Sequence, residues 1–417
     1  MVPTKIIIDT DPGVDDITAI LLALGSPEVD ILAYVATFGN TDRDSAHFNI
    51  LKTYKAIADS PDSPRFPNFR PGSPPVIVQG ADAPLEGELH SAAYFHGRDG
   101  LGNIAERHPE LDVDASLQPL ACDLMTVLDI IKEHPPRTIT YVVLGPMTSL
   151  ALLAQQEPET ITNRIGRVIC MGGALDVPGN TTPSAEFNFF ADPFAVKQLL
   201  FNPSSPYGLP LDRFLLLSLD VTALLHLPFE LYKRAVDPTF QDTKTPSKLS
   251  DGKSTLVHLT SSFLENTREI MLSFGEDAME LHDVAAIWCA IESPPIQTNI
   301  SANTCPLNNG WRARKRILDI ERYGELTRGM LVVDRRSDAS AYAPGANRAA
   351  VQKQAELLGL HKDDDLWESL AVPAQVEIEG PPDVTGEQGI WVISHTPGED
   401  ALLEAMMKRI WNVETTL

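Results

Sequence analysis

The chain reads as an α/β protein with an open, mostly parallel twisted sheet flanked by helices and carrying surface insertions. Three observations predict this. Short apolar runs end in a polar residue or glycine, helical patterns follow most of them, and the first run, Ile6-Ile7-Ile8, stops abruptly in a turn crowded with carboxylates. Strands that alternate with helices imply a parallel sheet covered on both faces. With 417 residues, 43% of them hydrophobic, the chain can bury a sizeable core, and one domain over 1–417 is expected.

The elements follow in order. Ile6–Asp9 is the first strand, Pro12 and Gly13 make the turn, and Ile17, Ile20, Leu21 and Leu24 begin an apolar helix. Later strands are expected at Ile31–Phe38, Ile139–Leu144, Val168–Met171 and Phe214–Leu219, each closing on glycine or a polar residue. Helical spacing marks 43–59, 119–134, 148–156, 193–201, 221–236, 255–274, 283–292, 345–358 and 398–411. Three stretches lack periodicity. Residues 60–75 hold six prolines and read as a stiff surface loop. Residues 237–254 are polar and read as an exposed insertion. Residues 361–389, with Asp363-Asp364-Asp365 and Pro381-Pro382, read as an acidic excursion before the last strand and helix.

Composition narrows the class of partner. A formal net charge of −24 makes free nucleic acid and anionic membrane poor partners, while leaving a neutral or cationic small substrate open. Cys122, Cys170, Cys289 and Cys305 form no metal-ligand spacing, and the three in apolar segments read as buried structural thiols. No apolar run reaches membrane-spanning length, and the first strand begins within five residues, which leaves no room for a signal peptide. An intracellular protein is expected.

The chemistry concentrates at the first turn. Asp9, Asp11, Asp15 and Asp16 occupy eight positions where a parallel strand ends, the edge at which open sheets bind ligands. One or two carboxylates suffice to cap a helix or meet its dipole; four exceed that need. Their mutual repulsion calls for a positive partner, and a hard divalent cation is the natural one, because Ca²⁺ and Mg²⁺ prefer carboxylate oxygen.

Further motifs extend this cluster. Asp9-Thr10-Asp11-Pro12-Gly13-Val14-Asp15-Asp16 resembles the N-terminal signature of the inosine–uridine type nucleoside hydrolases. Phe38-Gly39-Asn40, Leu144-Gly145-Pro146, Met171-Gly172-Gly173, Gly179-Asn180, Ala185-Glu186-Phe187-Asn188, His282-Asp283 and Gly329–Asp334 follow in that family's order. The resemblance implies the nucleoside hydrolase fold and an enzyme that splits the N-glycosidic bond of ribonucleosides into ribose and free base. It implies one Ca²⁺ held by Asp11, Asp16, Asp283 and the backbone carbonyl of Leu144, with Asp11 taking a proton from a water on that ion. Asp15, Asn40, Asn180, Glu186 and Asn188 would grip the ribose hydroxyls, helped by Asp283. Asp9 would support this shell from behind. His282 would stand near the leaving base as proton donor, and His96 would lie in an active-site loop. A small-molecule ribonucleoside as partner, a cytoplasmic location and a homo-oligomer, dimer or tetramer, complete the expectation.

The residues support that chemistry independently. N-glycosidic cleavage develops positive charge on the ribose ring, which a carboxylate-rich pocket stabilises. Glu186 and Asn188, two apart, would point the same way if extended. Trp288 and Phe274 are available for base stacking, although aromatics at helical spacing also serve cores. Two other readings exist. An inactive homologue would bind Ca²⁺ and ribosides without turnover. A haloacid dehalogenase-type phosphohydrolase also begins with Asp-x-Asp, but wants Thr or Val where Gly13 stands, and no convincing later Lys and Asp-Asp pair follows in its expected order.

Overall fold

The protein is described by a computed structural model at residues 2–113, 122–202, 205–295, 304–308, 310–333, 353, 357 and 389–414. Among the described residues the strands are β1 Thr4–Thr10, β2 Val29–Ala36, β3 Val76–Gln79, β4 Ile139–Val143, β5 Ile165–Met171, β6 Phe214–Leu217, β7 His226–Pro228, β8 Ala278–Glu280, β9 Arg312–Arg316, β10 Leu318–Ile320, β11 Leu331–Val333 and β12 Ile390–His395. Eight form one open sheet in the order β3-β2-β1-β4-β5-β6-β12-β9. All neighbours run parallel except β9, which is antiparallel to β12. The pairs β7/β8 and β10/β11 are separate antiparallel ribbons.

The period of two along β1 builds the core. Ile6 and Ile8 face one side, with the helices Val14–Leu24, His282–Glu292 and Glu399–Trp411; Ile7 faces the other, with Tyr141, Val143 and the helices Thr148–Gln156 and Pro193–Leu200. All three isoleucines have no exposed surface, and burying such a side chain stabilises by about 1.5–3 kcal/mol. This double coverage explains why β1 reads as an unbroken apolar run.

Topology then places the site. The chain builds outward from β1 through β2 to β3, then crosses back to lay β4 on the other side of β1. The direction of winding therefore reverses between β1 and β4, and the crevice beyond their carboxyl ends is where open sheets receive ligands. Asp9 pairs in register with Val143, so Asp11 and Leu144 emerge side by side at that switch point.

Several expectations need correction. The helix expected over 221–236 is broken into a turn of helix at Leu219–Thr222, strand β7 and the helix Phe229–Ala235. Pro228 causes the break, because it lacks an N–H and biases Leu227 toward extended backbone. Residues 237–254 are not simply exposed: Asp237, Phe240 and Ser247 are buried, and Ser247 N donates to Glu265 Oε1 at 2.5 Å. The proline-rich stretch 60–75 also sends two residues inward, Phe66 and Asn68, with Asn68 Nδ2 donating to Ala23 O at 2.9 Å and Ser26 O at 2.7 Å. Cys122 is exposed rather than buried, because it extends the sheet edge as a bridge partner of Val78. The helix expected over 119–134 begins only at Thr126, with Cys122 in a bridge and Leu124 and Met125 in a turn before it. Residues 119–121, the body of the 345–358 helix, Asp334 and nearly all of 361–389 lie outside the described residues. Among the described residues, no helix is long and apolar enough to cross a membrane.

Candidate active site

Asp11 leaves β1 with no exposed surface. Its Oδ2 accepts the backbone N–H of Asn40 at 2.7 Å, while Oδ1 has no hydrogen-bond partner. Two glycines make room for it. A Cβ at Gly145 would stand 2.5 Å from Asp11 Oδ1, and one at Gly39 would stand 2.0 Å from Oδ2. Gly39 also has φ +152°, which L side chains rarely adopt. Gly39→Ala is therefore expected to push the Asp11 carboxylate aside, lowering turnover sharply while costing about 1–3 kcal/mol of stability. Steady-state kinetics beside a melting curve reads both effects.

Asp16 sits in the first turn of the helix Val14–Leu24 and is equally buried. Its Oδ1 accepts from Thr10 Oγ1 at 2.5 Å; its Oδ2 accepts from Gly13 N at 3.0 Å and Asn40 Nδ2 at 2.9 Å. Asp283 arrives in the first turn of the helix His282–Glu292. Carboxylate oxygens of Asp15, Asp16 and Asp283 all lie within 4.8 Å of one another. Burial, then the charge of Asp16, pushes the Asp11 carboxyl well above its ordinary range. Burial, then Asp15, Asp16 and Asp11, does the same to Asp283. Asp16 rises to about 6 through burial and Asp15. Behind them, burial raises Asp9 to about 8 against the opposing hydrogen bond from Tyr141 Oη, 2.9 Å from Asp9 Oδ2.

Asp15, Asp283 and the remaining expected residues line a cleft of about 330 Å³, with Asp11 and Asp16 buried outside its lining, and they have partners the sequence did not disclose. Asn40 spends its side-chain NH₂ on Asp16. Asn188 Nδ2 donates to the Leu144 carbonyl at 2.6 Å. Glu186 and Asn188 do not lie on an extended strand: Glu186 is the N-cap of the helix Phe187–Ala191, accepting from Asn188 N at 2.8 Å and Phe189 N at 3.1 Å, and also from Gly173 N at 2.8 Å. Asn180 is exposed, with Oδ1 accepting from Phe187 N at 3.0 Å.

The two histidines differ in state. His282 Nδ1 lies 2.9 Å from Thr222 Oγ1, and Nε2 lies 3.0 Å from Glu280 Oε2. Burial alone would lower its pKa, but Glu280, Asp15 and Glu186 outweigh that and hold the ring above its ordinary value. His96 is buried, and burial pushes it down to about 4. Its Nδ1 accepts the backbone N–H of Val14 at 3.3 Å, which leaves the proton on Nε2. Tyr94, Phe95, Met271, Phe274 and Met279 form an apolar wall beside it. Sequence singled out only Phe274 among these, since the others carry no local signature and meet only through folding. Trp288 is core: it packs on Trp311 at 5.0 Å between centroids.

A hard cation fits this donor set. The donors are all oxygens, those of Asp15, Asp16 and Asp283 lie within 4.8 Å of one another, and a buried Asp11 oxygen is orphaned. The class that fold and site define is an open-sheet protein with a ligand cleft at its switch point and a buried carboxylate cluster suited to a cation. Comparison with known sequences makes this particular: the chain matches the family model of the inosine-uridine preferring nucleoside hydrolases over residues 6–359, and it belongs to that family. It therefore hydrolyses the N-glycosidic bond of ribonucleosides and is metal-dependent. The chain is 31% identical over 330 residues to the pyrimidine-specific ribonucleoside hydrolase RihA of Citrobacter koseri, covering 79% of this chain and 88% of that protein. It is 29% identical over 340 residues to the inosine-uridine preferring nucleoside hydrolase of Crithidia fasciculata, covering 80% and 89%. Among solved structures, a plant nucleoside hydrolase aligns over 98% of this chain and 99% of its own, with a TM-score of 0.65 at 21% identity.

Proposed function

We propose that this chain, one domain bearing the three insertions, is a Ca²⁺-dependent ribonucleosidase in which Asp11 acts as general base on the attacking water. The observation that carries the reading is the Asp11 carboxylate itself: buried, cradled by two glycines, and with one oxygen unspent. Asp11, Asp16, Asp283 and the Leu144 carbonyl would hold the ion, which when bound would neutralise the cluster and lower the pKa of a neighbouring water. Asp11 takes that water's proton as the water attacks the anomeric carbon, a contribution typically worth about 10²–10⁴-fold. Asp15, helped by Asp283, holds ribose hydroxyls, and the carboxylate-rich pocket stabilises the positive charge that develops on the ring. Asn40, Asn180, Glu186 and Asn188 hold the ribose hydroxyls, and the fixed pose contributes through proximity. The apolar wall from Tyr94 to Met279 receives the flat face of the base.

The leaving base needs a proton or a strong hydrogen bond at its departing nitrogen. His282 lines the cleft and is the expected donor, but it can give up its Nε2 proton only by releasing Glu280. The Nε2–H of His96 is under no such constraint, and a neutral imidazole can serve as a hydrogen-bond electrophile. His96→Ala is expected to slow nucleoside hydrolysis by about 10²-fold or more, yet to leave a p-nitrophenyl riboside nearly unaffected, because nitrophenolate departs without a proton. Equal losses on both substrates would assign His96 to binding instead. The same pair of substrates applied to His282→Ala measures its share.

The overall reading is tested by incubating the protein with a panel of ribonucleosides and following ribose and free base together. Stoichiometric release of both is expected. Tight metal-dependent binding with no release from any member of the panel would favour a riboside-binding protein that has lost turnover.

A further inference from the structure

A second group of ligating side chains lies outside the carboxylate cluster. His108 and Glu110 flank Pro109 at the short turn Pro109–Leu111, and His258 faces them from the first turns of the helix Thr255–Phe274. Glu110 Oε1 is 3.3 Å from His108 Nδ1 and 2.9 Å from His258 Nε2, and these ligand atoms all lie within 4.8 Å of one another. Both imidazoles are buried, while the Glu110 side chain is 45% exposed. For an ion about 2.0–2.1 Å from each donor, neighbouring donors stand roughly 3.0–3.4 Å apart, so these separations are already those of adjacent ligands.

The surroundings of His258 match what a metal-bound imidazole requires of its far nitrogen. His258 Nδ1 lies 3.0 Å from Ser247 Oγ, which accepts from Lys253 Nζ at 2.9 Å. His108 Nε2 lies 3.4 Å from Arg107 Nη1, which can only donate, so without an ion its proton sits on Nδ1 toward Glu110. An ion on Nδ1 requires that proton to move to Nε2, where Glu265 Oε2 at 3.8 Å is the acceptor at hand. The nearby cations have acids of their own: Lys253 pairs with Asp237 at 2.6 Å and Arg107 with Glu265 at 2.9 Å. Glu110 is thus left as the negative charge available to an incoming ion.

We propose that His108 Nδ1, Glu110 Oε1 and His258 Nε2 form a second metal site, for one borderline divalent cation of the Zn²⁺ class. Two imidazoles and one carboxylate favour such an ion over Ca²⁺ or Mg²⁺, so the two sites sort metals by ligand softness. Three protein ligands leave a position for water on the exposed side of Glu110. The site also has a mechanical consequence. His108 follows the segment that carries Tyr94 and His96, and His258 stands on the helix whose far end carries Met271 and Phe274. An ion there ties the two sides of the base cleft together.

The test uses the full chain in excess Ca²⁺, which keeps the oxygen site filled, with Co²⁺ as the spectroscopic probe. One equivalent of Co²⁺ with visible ligand-field absorption, displaced by Zn²⁺, is expected. The signal should vanish in His108→Ala and in His258→Ala, and Ser247→Ala should weaken binding by about 10–100-fold. Zn²⁺ should raise the melting midpoint of the wild type but not of Glu110→Gln. Absence of a Co²⁺ signal in the wild type, or a signal that persists in both histidine variants, would overturn the site. So would a folded Glu110→Gln protein that binds Co²⁺ as tightly as the wild type, a control at a half-exposed position where loss of fold is not expected.

Discussion

Asp11→Asn is expected to slow base release on the order of 10²–10⁴-fold, the range for loss of a positioned general base, with a smaller change in KM. The substitution keeps the shape of the side chain and the capacity to accept from Asn40 N–H. What it removes is the ability to take a proton from water and one negative charge toward the cation. Stability should hold or rise slightly in metal-free protein, because Asp16 no longer repels a second buried carboxylate there. A folded variant with wild-type turnover would remove Asp11 from the chemistry. A variant that loses turnover and unfolds together would leave the assignment to Gly39→Ala, which moves the carboxylate without deleting it.

The second large effect is loss of the cation. Exhaustive chelation is expected to bring turnover to background and lower the melting midpoint, with Ca²⁺ restoring both and Mg²⁺ restoring less. The reason lies in the same carboxyls. Burial and mutual repulsion raise Asp11, Asp16 and Asp283 in the bare protein, and a divalent ion reverses the repulsion. An ion supplied at a hundred times its Kd stabilises the folded chain by about 2.7 kcal/mol. Mg²⁺ demands near-octahedral geometry and parts with water reluctantly, whereas Ca²⁺ accepts an irregular set of oxygens. Turnover that survives chelation would place the chemistry on the carboxylates alone. Added Zn²⁺ should not replace Ca²⁺ in activity, since the imidazole cluster draws it elsewhere.

Much of the fold was legible because its signals are local. Period-two burial along Ile6-Ile7-Ile8, period-3.6 spacing over 148–156 and 255–274, and the Pro12-Gly13 turn each act within a few residues, and the structure places those elements within a residue or two of expectation. Where the reading failed, a second local preference had been underweighted. Pro228 interrupts an otherwise helical pattern, and the capping preference of Glu186 wins over extension. The buried part of 237–254 was illegible for another reason. Its polar residues are satisfied by Glu265 and Glu269 from a helix further along, and no local pattern announces a distant partner.

Sequence alone pointed to a cation site, because four aspartates in eight positions at a strand end repel one another unless a positive partner or protonation relieves them, and the ordered motifs pointed to the family. It also named the distant contributors, Leu144, Glu186, Asn188 and Asp283, through motifs in a recognisable order. Tertiary structure decided what each of those groups is free to do. Asn40 and Asn188 turned out to have their side-chain NH₂ groups already committed, and His282 both ring nitrogens, while His96 keeps an N–H to offer. The pairing of His108 and Glu110 with His258 likewise exists only in the fold. The physical reason is common to all of these: residue type and spacing set which donors and acceptors are present, but the partners that occupy them come from elements brought together by packing.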